Sequence, residues 1–322
     1  MRPTSVLIRA PFIKGMVHEM DYIKFFEERG VEFIKDIWGT CHDVRLGSTP
    51  LVIMNESMYK GYKYFKLYDD SRDWERYWDA FDKYNHCIGI VKWNYGLEEE
   101  EVYRRGNYQI LQDLDLDYKD FRSLVNYTAE WVENIVSGDW KYVACFLGLL
   151  ADHLSASGNY VKAILKKPMM LHEKGVRKHL VRQLDKYIDE MKCGKIYLEG
   201  TNKFSTPDLI MFMEHVGGLE LKGCLEDGEF WTQSLTGTYE GEFLIERNPH
   251  ICKSEHVILK ASENEDIKTY VSHLTNVCML NSKSLVAQRL NGSDFDGDSV
   301  FVSDNKIMMS GVDRNARNAT NP

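Results

Sequence analysis

The sequence predicts an α+β protein with strands in two zones and helices between them. Three observations lead there. Short aliphatic runs separated by turn residues occupy the first 68 positions and return after about residue 193. Between those zones, apolar and aromatic residues recur every three or four positions. No internal repeat of solenoid or propeller period breaks that order.

Taken in order, residues 5–9, 31–34 and 51–54 read as strands, followed by a tyrosine- and lysine-rich stretch at 55–64. Trp74, Tyr77, Trp78 and Phe81 share one helical face. Leu124, Tyr127, Trp131 and Ile135 repeat the spacing, and Ser137-Gly138 ends that helix. Val176, Leu180, Leu184, Ile188 and Met191 make a third stripe, with Gly194 just beyond. All three stripes are expected to face a core. Strands are expected again at 195–199, 229–233, 242–246, 256–260, 284–290 and 299–303, a pattern that suits a small barrel. One short helix interrupts them, with Thr206 as its N-cap, Pro207 at its first position and Gly217-Gly218 at its end. Residues 306–322 read as a polar, loose tail.

Composition narrows the class. The 322 residues are 43% apolar and 28% charged, enough for two or three ordinary domains. A net charge of −9 excludes a simple basic nucleic-acid-binding domain. It leaves room for an enzyme with a local basic channel beside an acidic metal site. The seven cysteines form no C-x-x-C pair, which speaks against zinc and for a reduced, cytoplasmic protein. The longest apolar run, 143–151, is far short of the ~20 residues that span a bilayer. Arg9 and Lys14 interrupt the N-terminal apolar stretch, so no signal peptide is visible and a soluble chain is expected.

The chemistry concentrates in Gly-Ser-Asp-Phe-Asp-Gly-Asp, where Asp294, Asp296 and Asp298 alternate. On a flat strand the outer two would stand about 13 Å apart. On a tight turn all three can converge, and Gly292 and Gly297 supply the backbone freedom for one. Carboxylates that converge repel one another unless a divalent cation joins them, and an all-oxygen set selects Mg²⁺, Mn²⁺ or Ca²⁺. An EF-hand needs glycine at the sixth position and glutamate at the twelfth, which here are Ser299 and Asn305. Phe295 is expected to point away from the carboxylates and anchor the loop, and strands at 285–290 and 300–302 to flank it.

Asn-Gly-Ser-Asp-Phe-Asp-Gly-Asp (291–298) resembles the metal-binding loop of the two-barrel RNA polymerases. That family includes the large subunit of cellular RNA polymerases, the RNA-directed polymerases of RNA silencing, and the YonO-type polymerases of phages and prophages. Other matches keep family order. Glu246-Arg247-Asn248-Pro249-His250-Ile251 resembles the turn whose arginine contacts the incoming nucleotide, which gives Arg247 that role. Ile8 to Met16 resembles the Lys-Gly strand of the first barrel, and Glu56-Ser57-Met58-Tyr59-Lys60 the Ser-Met-x-Lys segment. The resemblance implies that Lys14 and Lys60 reach the nucleotide phosphates and primer end. Residues 223–231 look like the entry to the second barrel's central strand. The family's ribose-reading asparagine lies two residues before the first aspartate; here that place is Gly292, with Asn291 one step earlier. This favours the single-chain branch.

The resemblance implies two double-psi β-barrel portions separated by a mainly helical region. Residues 1–68 would be part of the first barrel, 69–192 the helical connection, 193–305 the second barrel with the aspartate loop, and 306–322 the tail. It implies Mg²⁺, with Mn²⁺ as a substitute, nucleoside triphosphates as substrates, and a nucleic-acid template with nascent RNA. Residues 36–39 (Asp-Ile-Trp-Gly) and the Ser-Met-Tyr-Lys form lean toward a DNA template and a phage or prophage protein in a bacterial host cytoplasm; an RNA template is the runner-up. Family members continue past the loop with template- and substrate-holding segments, so this sequence reads as a catalytic-core fragment, with a non-catalytic metal-binding module as the alternative.

Overall fold

The computed structural model describes residues 4–45, 52–61, 64–65, 73–84, 86–94, 102–149, 157–233 and 239–320. They form two compact units, one of Met1–Val102 with Gly200–Asn305, the other of Tyr103–Glu199 with Lys306–Pro322.

The first unit opens with an antiparallel hairpin, β1 (Ser5–Ala10) and β2 (Ile13–His18), followed by α1 (Tyr22–Glu28) and a small hairpin, β3 (Phe33–Lys35) and β4 (Cys41–Asp43). The strand expected at 51–54 is absent over its described residues, Val52 to Met54; Leu51 lies outside them. A 3₁₀ turn, Glu56–Met58, is capped by the Asn55 side chain and delivers Lys60. Then come α2 (Trp74–Lys83), which buries Tyr77, and β5 (Gly89–Asn94), which lies beside β1 in a sheet ordered β2-β1-β5. β5 falls where helix was expected. Its Gly-Ile-Val-Lys-Trp-Asn is a β-branched run that the helical stripes on either side obscure.

The second unit contains β6 (Tyr103–Arg105), α3 (Tyr108–Gln112), α4 (Tyr118–Val136), α5 (Trp140–Phe146), α6 (Asn159–Lys166), α7 (Lys174–Lys192) and β7 (Tyr197–Glu199), with β6 and β7 paired antiparallel. Asp117 and Asp120 form a capping box at the start of α4. Ile135, Val143, Val161, Ile164 and Val176 make the core. Leu124 and Ile135 of the expected stripe are buried, whereas Tyr127 is exposed and stacks on Tyr103.

The chain then returns to the first unit with β8 (Thr201–Pro207), α8 (Leu209–Val216), β9 (Glu229–Thr232), β10 (Glu242–Arg247), β11 (Val257–Ala261), α9 (Glu265–Tyr270), β12 (Val277–Leu280), α10 (Val286–Arg289) and β13 (Ser299–Ser303). Six of these strands close into a barrel ordered β10-β11-β9-β12-β8-β13, and β13 pairs back to β10. The β8–β12 and β9–β11 pairs are parallel. Alternate residues from the strands, among them Phe230, Ile245, Val257, Cys278, Leu280 and Val300, fill one core. The other strand faces join α1, α8 and α9 in a second core around Phe25, Phe26, Ile210 and Val277.

Three expectations change here. The N-cap of α8 is Asp208, not Thr206; Thr206 and Pro207 end β8, where proline's missing donor is tolerated. Asp208 is fully buried and accepts from the backbone N–H of Met211, Cys224 and Leu225. Within the stretch at 284–290, Val286–Arg289 is helical. Val286 and Leu290 are buried four residues apart, Leu285 is exposed, and Asn281 and Ser284 satisfy the free N–H groups at its start. The tail is a helix, α11 (Lys306–Thr320), held in the second unit by Arg314, which bonds the Asp120 carboxylate at 2.6 Å and the Asp115 carbonyl at 2.8 Å.

Candidate active site

The loop between α10 and β13 carries the three aspartates. Its backbone leaves ordinary territory four times: Asn291, Gly292, Phe295 and Gly297 all have positive φ, at 53°, 63°, 59° and 112°. Asparagine and glycine tolerate this region, but for phenylalanine it is costly. The surroundings hold the strain in place. Phe295 packs against the barrel core as expected, and a Cβ on Gly297 would lie 2.8 Å from Leu7 of β1. Ser205 on β8 ties the loop down, its hydroxyl bonding the Ser293 hydroxyl at 3.0 Å and its N–H donating to the Asp298 carbonyl at 2.9 Å. These two serines were not legible in the sequence, because 88 residues separate them.

The result is convergence. Asp294, Asp296 and Asp298 each place a carboxylate oxygen within 4.8 Å of the others. The Asp294 N–H donates to Asp298 Oδ2 at 3.2 Å, so the loop folds over its own acidic groups. Asp296 is buried, Asp298 half-buried and Asp294 exposed.

The three predicted cations meet this cluster. Lys14, on β2, bonds Asp296 Oδ1. Lys60 lies 2.6 Å from Asp294 Oδ2 and 3.3 Å from Asp296 Oδ2. Arg247, the last residue of β10, places Nη2 2.9 Å from Asp298 Oδ1 and donates through Nη1 to the Asn291 and Leu290 carbonyls at 3.0 and 3.3 Å. Asn291 instead turns its side-chain amide to the Pro249 carbonyl at 2.7 Å, bracing the turn after Arg247. Partial desolvation raises the Asp294 carboxyl, but the Lys60 ammonium outweighs it and holds the group below the usual carboxylate range. Lys60 sits above its ordinary value, because its bonds to Asp294 and Asp296 outweigh its own desolvation.

A cavity of about 450 Å³ opens beside the cluster, lined by Met16, His18, Asn55, Met58, Phe212 and Asp294 among others.

The donor set fits a hard divalent ion. It is all oxygen, its three carboxylates lie close together, and two ammonium groups and a guanidinium balance their charge. No other group of three potential ligands converges in this way among the described residues.

No family model matches the sequence. The chain is 25% identical over 316 residues, 97% of its length, to a protein of Bacillus phage SPbeta described as "DNA-directed RNA polymerase YonO". The similarity to that phage RNA polymerase runs along nearly the whole of this chain. Its fold also matches a solved structure, the RNA dependent RNA polymerase QDE-1 from Thielavia terrestris, with a TM-score of 0.57 at 15% identity and 96% of this chain covered. The chain spans about a third of the length of each, 35% and 32% respectively. Both relatives are RNA polymerases and therefore nucleotidyltransferases. The mixed α+β architecture with its closed barrel agrees with the expected fold class. No described helix is long and apolar enough to cross a membrane.

Proposed function

We propose that this chain is the catalytic core of a DNA-directed RNA polymerase that transfers nucleotides to an RNA 3′-hydroxyl with Mg²⁺. The observation that carries this reading is the meeting of Asp294, Asp296 and Asp298 on one strained loop with Lys14, Lys60 and Arg247 around them. Such a loop is expensive to build, and a solvated acidic turn needs none of it.

The three carboxylates hold the ion, which when bound supplies Lewis-acid activation of the attacking hydroxyl and neutralises phosphate charge. Lys14 and Lys60 are tethered to the carboxylates only through their ammonium tips. With those carboxylates engaged by a metal, both ammonium groups would be free to meet the triphosphate and balance the negative charge on the leaving pyrophosphate. Arg247 keeps two of its donors on the loop and presents a rigid, always-charged fork beside the reacting centre, suited to a ribose or phosphate oxygen. Asn291 acts through Pro249, holding the Arg247 turn.

The DNA template follows the phage relative, whose similarity runs along nearly the whole chain. An RNA template is the second reading, favoured by the fold match to the RNA dependent enzyme. The host cytoplasm is the proposed site of action. Primed single-stranded DNA and RNA templates, labelled nucleotides and Mg²⁺ decide between the readings. The expected result is metal-dependent RNA product on DNA, reduced at least about 10³-fold by Asp296→Asn. Product from the Asp296→Asn variant at the wild-type rate would overturn the mechanism. A wild-type chain that binds Mn²⁺ but makes no product is a metal-binding module instead.

A further inference from the structure

Glu246 is the residue just before Arg247, and it is buried completely. Phe243 and Ile245 point into the barrel core, so Glu246 alternates to the opposite side of β10. There its Oε1 lies 2.5 Å from Nδ1 of His256, the residue that leads into β11 and is itself 1% exposed. Glu246 Oε2 has no hydrogen-bond partner among the described residues. Burial pushes this carboxyl up to about 8, and one proton is shared across the short bond between it and the imidazole. His250 lies against His256 with ring centroids 4.2 Å apart and the rings tilted by 41°.

The pair therefore spans the base of the connection that Arg247 begins. The rest of that connection is also fastened. Glu255 accepts from the Ile251 N–H at 3.0 Å, and Arg289 of α10 donates to the carbonyls of Ser254 and His256 at 2.9 and 3.0 Å. A buried polar pair is a poor stabiliser compared with a well-packed apolar one, so its presence here is better explained by placement than by stability. What it places is the backbone of Arg247, whose guanidinium reaches Asp298 and the Asn291 carbonyl.

We propose that Glu246 and His256 are positioning residues that set the Arg247 guanidinium for the incoming nucleotide, without touching nucleotide or metal. This rests on the nucleotidyl-transfer reading of the site. It predicts that loosening the pair weakens nucleotide binding and leaves ion binding at the aspartates nearly intact.

The test uses the full chain, with GTP and Mg²⁺ for nucleotide affinity by calorimetry, Mn²⁺ affinity by electron paramagnetic resonance, and the thermal midpoint of every variant. Glu246→Gln keeps the shape and a donor toward His256, and is expected to bind GTP within about threefold of wild type. Glu246→Leu keeps the volume and loses the bond, and is expected to bind GTP about tenfold more weakly with Mn²⁺ affinity changed by less than about twofold. If the leucine variant does not fold, Arg289→Ala, which frees the same connection from its exposed end, is expected to weaken GTP binding by about threefold. A leucine variant, or in its place an Arg289→Ala variant, that binds GTP as tightly as wild type overturns the positioning role alone. Equal loss of GTP binding, Mn²⁺ binding and thermal midpoint in the glutamine and leucine variants overturns it in favour of a structural role. A wild-type chain that binds Mn²⁺ but no GTP overturns this proposal and the nucleotidyl-transfer reading together.

Discussion

The carboxylates and the two lysines of the site come from differently built parts of the first unit. Asp294, Asp296 and Asp298, with Arg247, belong to a barrel closed by the β10–β13 pairing. Lys14 belongs to a three-stranded sheet that is open among the described residues, and Lys60 to the turn bridged to it through Tyr59 and Ile13. Among the described residues β5 pairs only with β1, and Ile90, Val91 and Trp93 along it are 44%, 58% and 46% exposed. Closure gives the carboxylates a scaffold without free edges, while an open sheet yields more readily. The acidic half of the site is thus held by the closed element, and the lysines, which trade partners in the proposed reaction, are held by the open one.

The largest expected effect tests that difference in stability directly. Phe230 is fully buried at the barrel centre, and Phe230→Ala should cost about 3–5 kcal/mol in urea unfolding. Trp93→Ala on β5 should cost less than about 1 kcal/mol, because much of that ring is already in water. Equal costs would remove the distinction. Asp208→Ala comes next. It strips a buried N-cap and two further backbone donors of their shared acceptor, and should cost about 2–4 kcal/mol. A loss of only a few tenths would show that water replaces the carboxylate.

How much of this could be read beforehand depends on the distance over which each signal acts. The aspartate loop was legible because its chemistry lies within a few neighbouring residues, glycines included. Lys14 and Lys60 stand 282 and 234 residues from their partners, and no local pattern marks either as more than a surface lysine; only the family motif did. The Glu246–His256 pair left no sign, since each residue is ordinary for a strand end. The aliphatic run Leu285 to Leu290 predicts a strand where helix α10 forms, and only the burial of Val286 and Leu290 reveals the four-residue period. At α8 two plausible caps stood two residues apart, and the pairing of Thr206 and Pro207 with β12 decided for Asp208.

A smaller effect sharpens the electrostatic side of the comparison. Lys60 is more than a third exposed, so Lys60→Met should lower the melting midpoint by no more than about 1 kcal/mol equivalent without metal. The same change removes a cation that competes with the ion for Asp294 and Asp296, so Mn²⁺ should bind about three- to tenfold more tightly. Added Mn²⁺ should then stabilise the variant more than wild type. Weaker Mn²⁺ binding in the variant would mean that Lys60 helps to arrange the carboxylates rather than competing for them.

The smallest effect concerns pH and only the open sheet. His18 closes the β1–β2 hairpin opposite Ser5, whose Oγ lies 2.9 Å from its Nδ1. Desolvation, reinforced by the neighbouring His273, lowers the imidazole from 6.5 to about 4. Between those values the unfolded chain takes up a proton that the folded chain refuses, so stability is full above 6.5 and falls as pH drops toward 4. At pH 6 the loss should be under about 1 kcal/mol, and His18→Gln should abolish it. Hydrogen exchange, corrected for intrinsic rates, should show β1 and β2 amides opening faster at pH 5.5 than at 7 while β10 and β13 keep their protection. Parallel loosening of both regions would show that the hairpin and the barrel open as one cooperative element, and that the sheet carrying Lys14 is no softer than the barrel it faces.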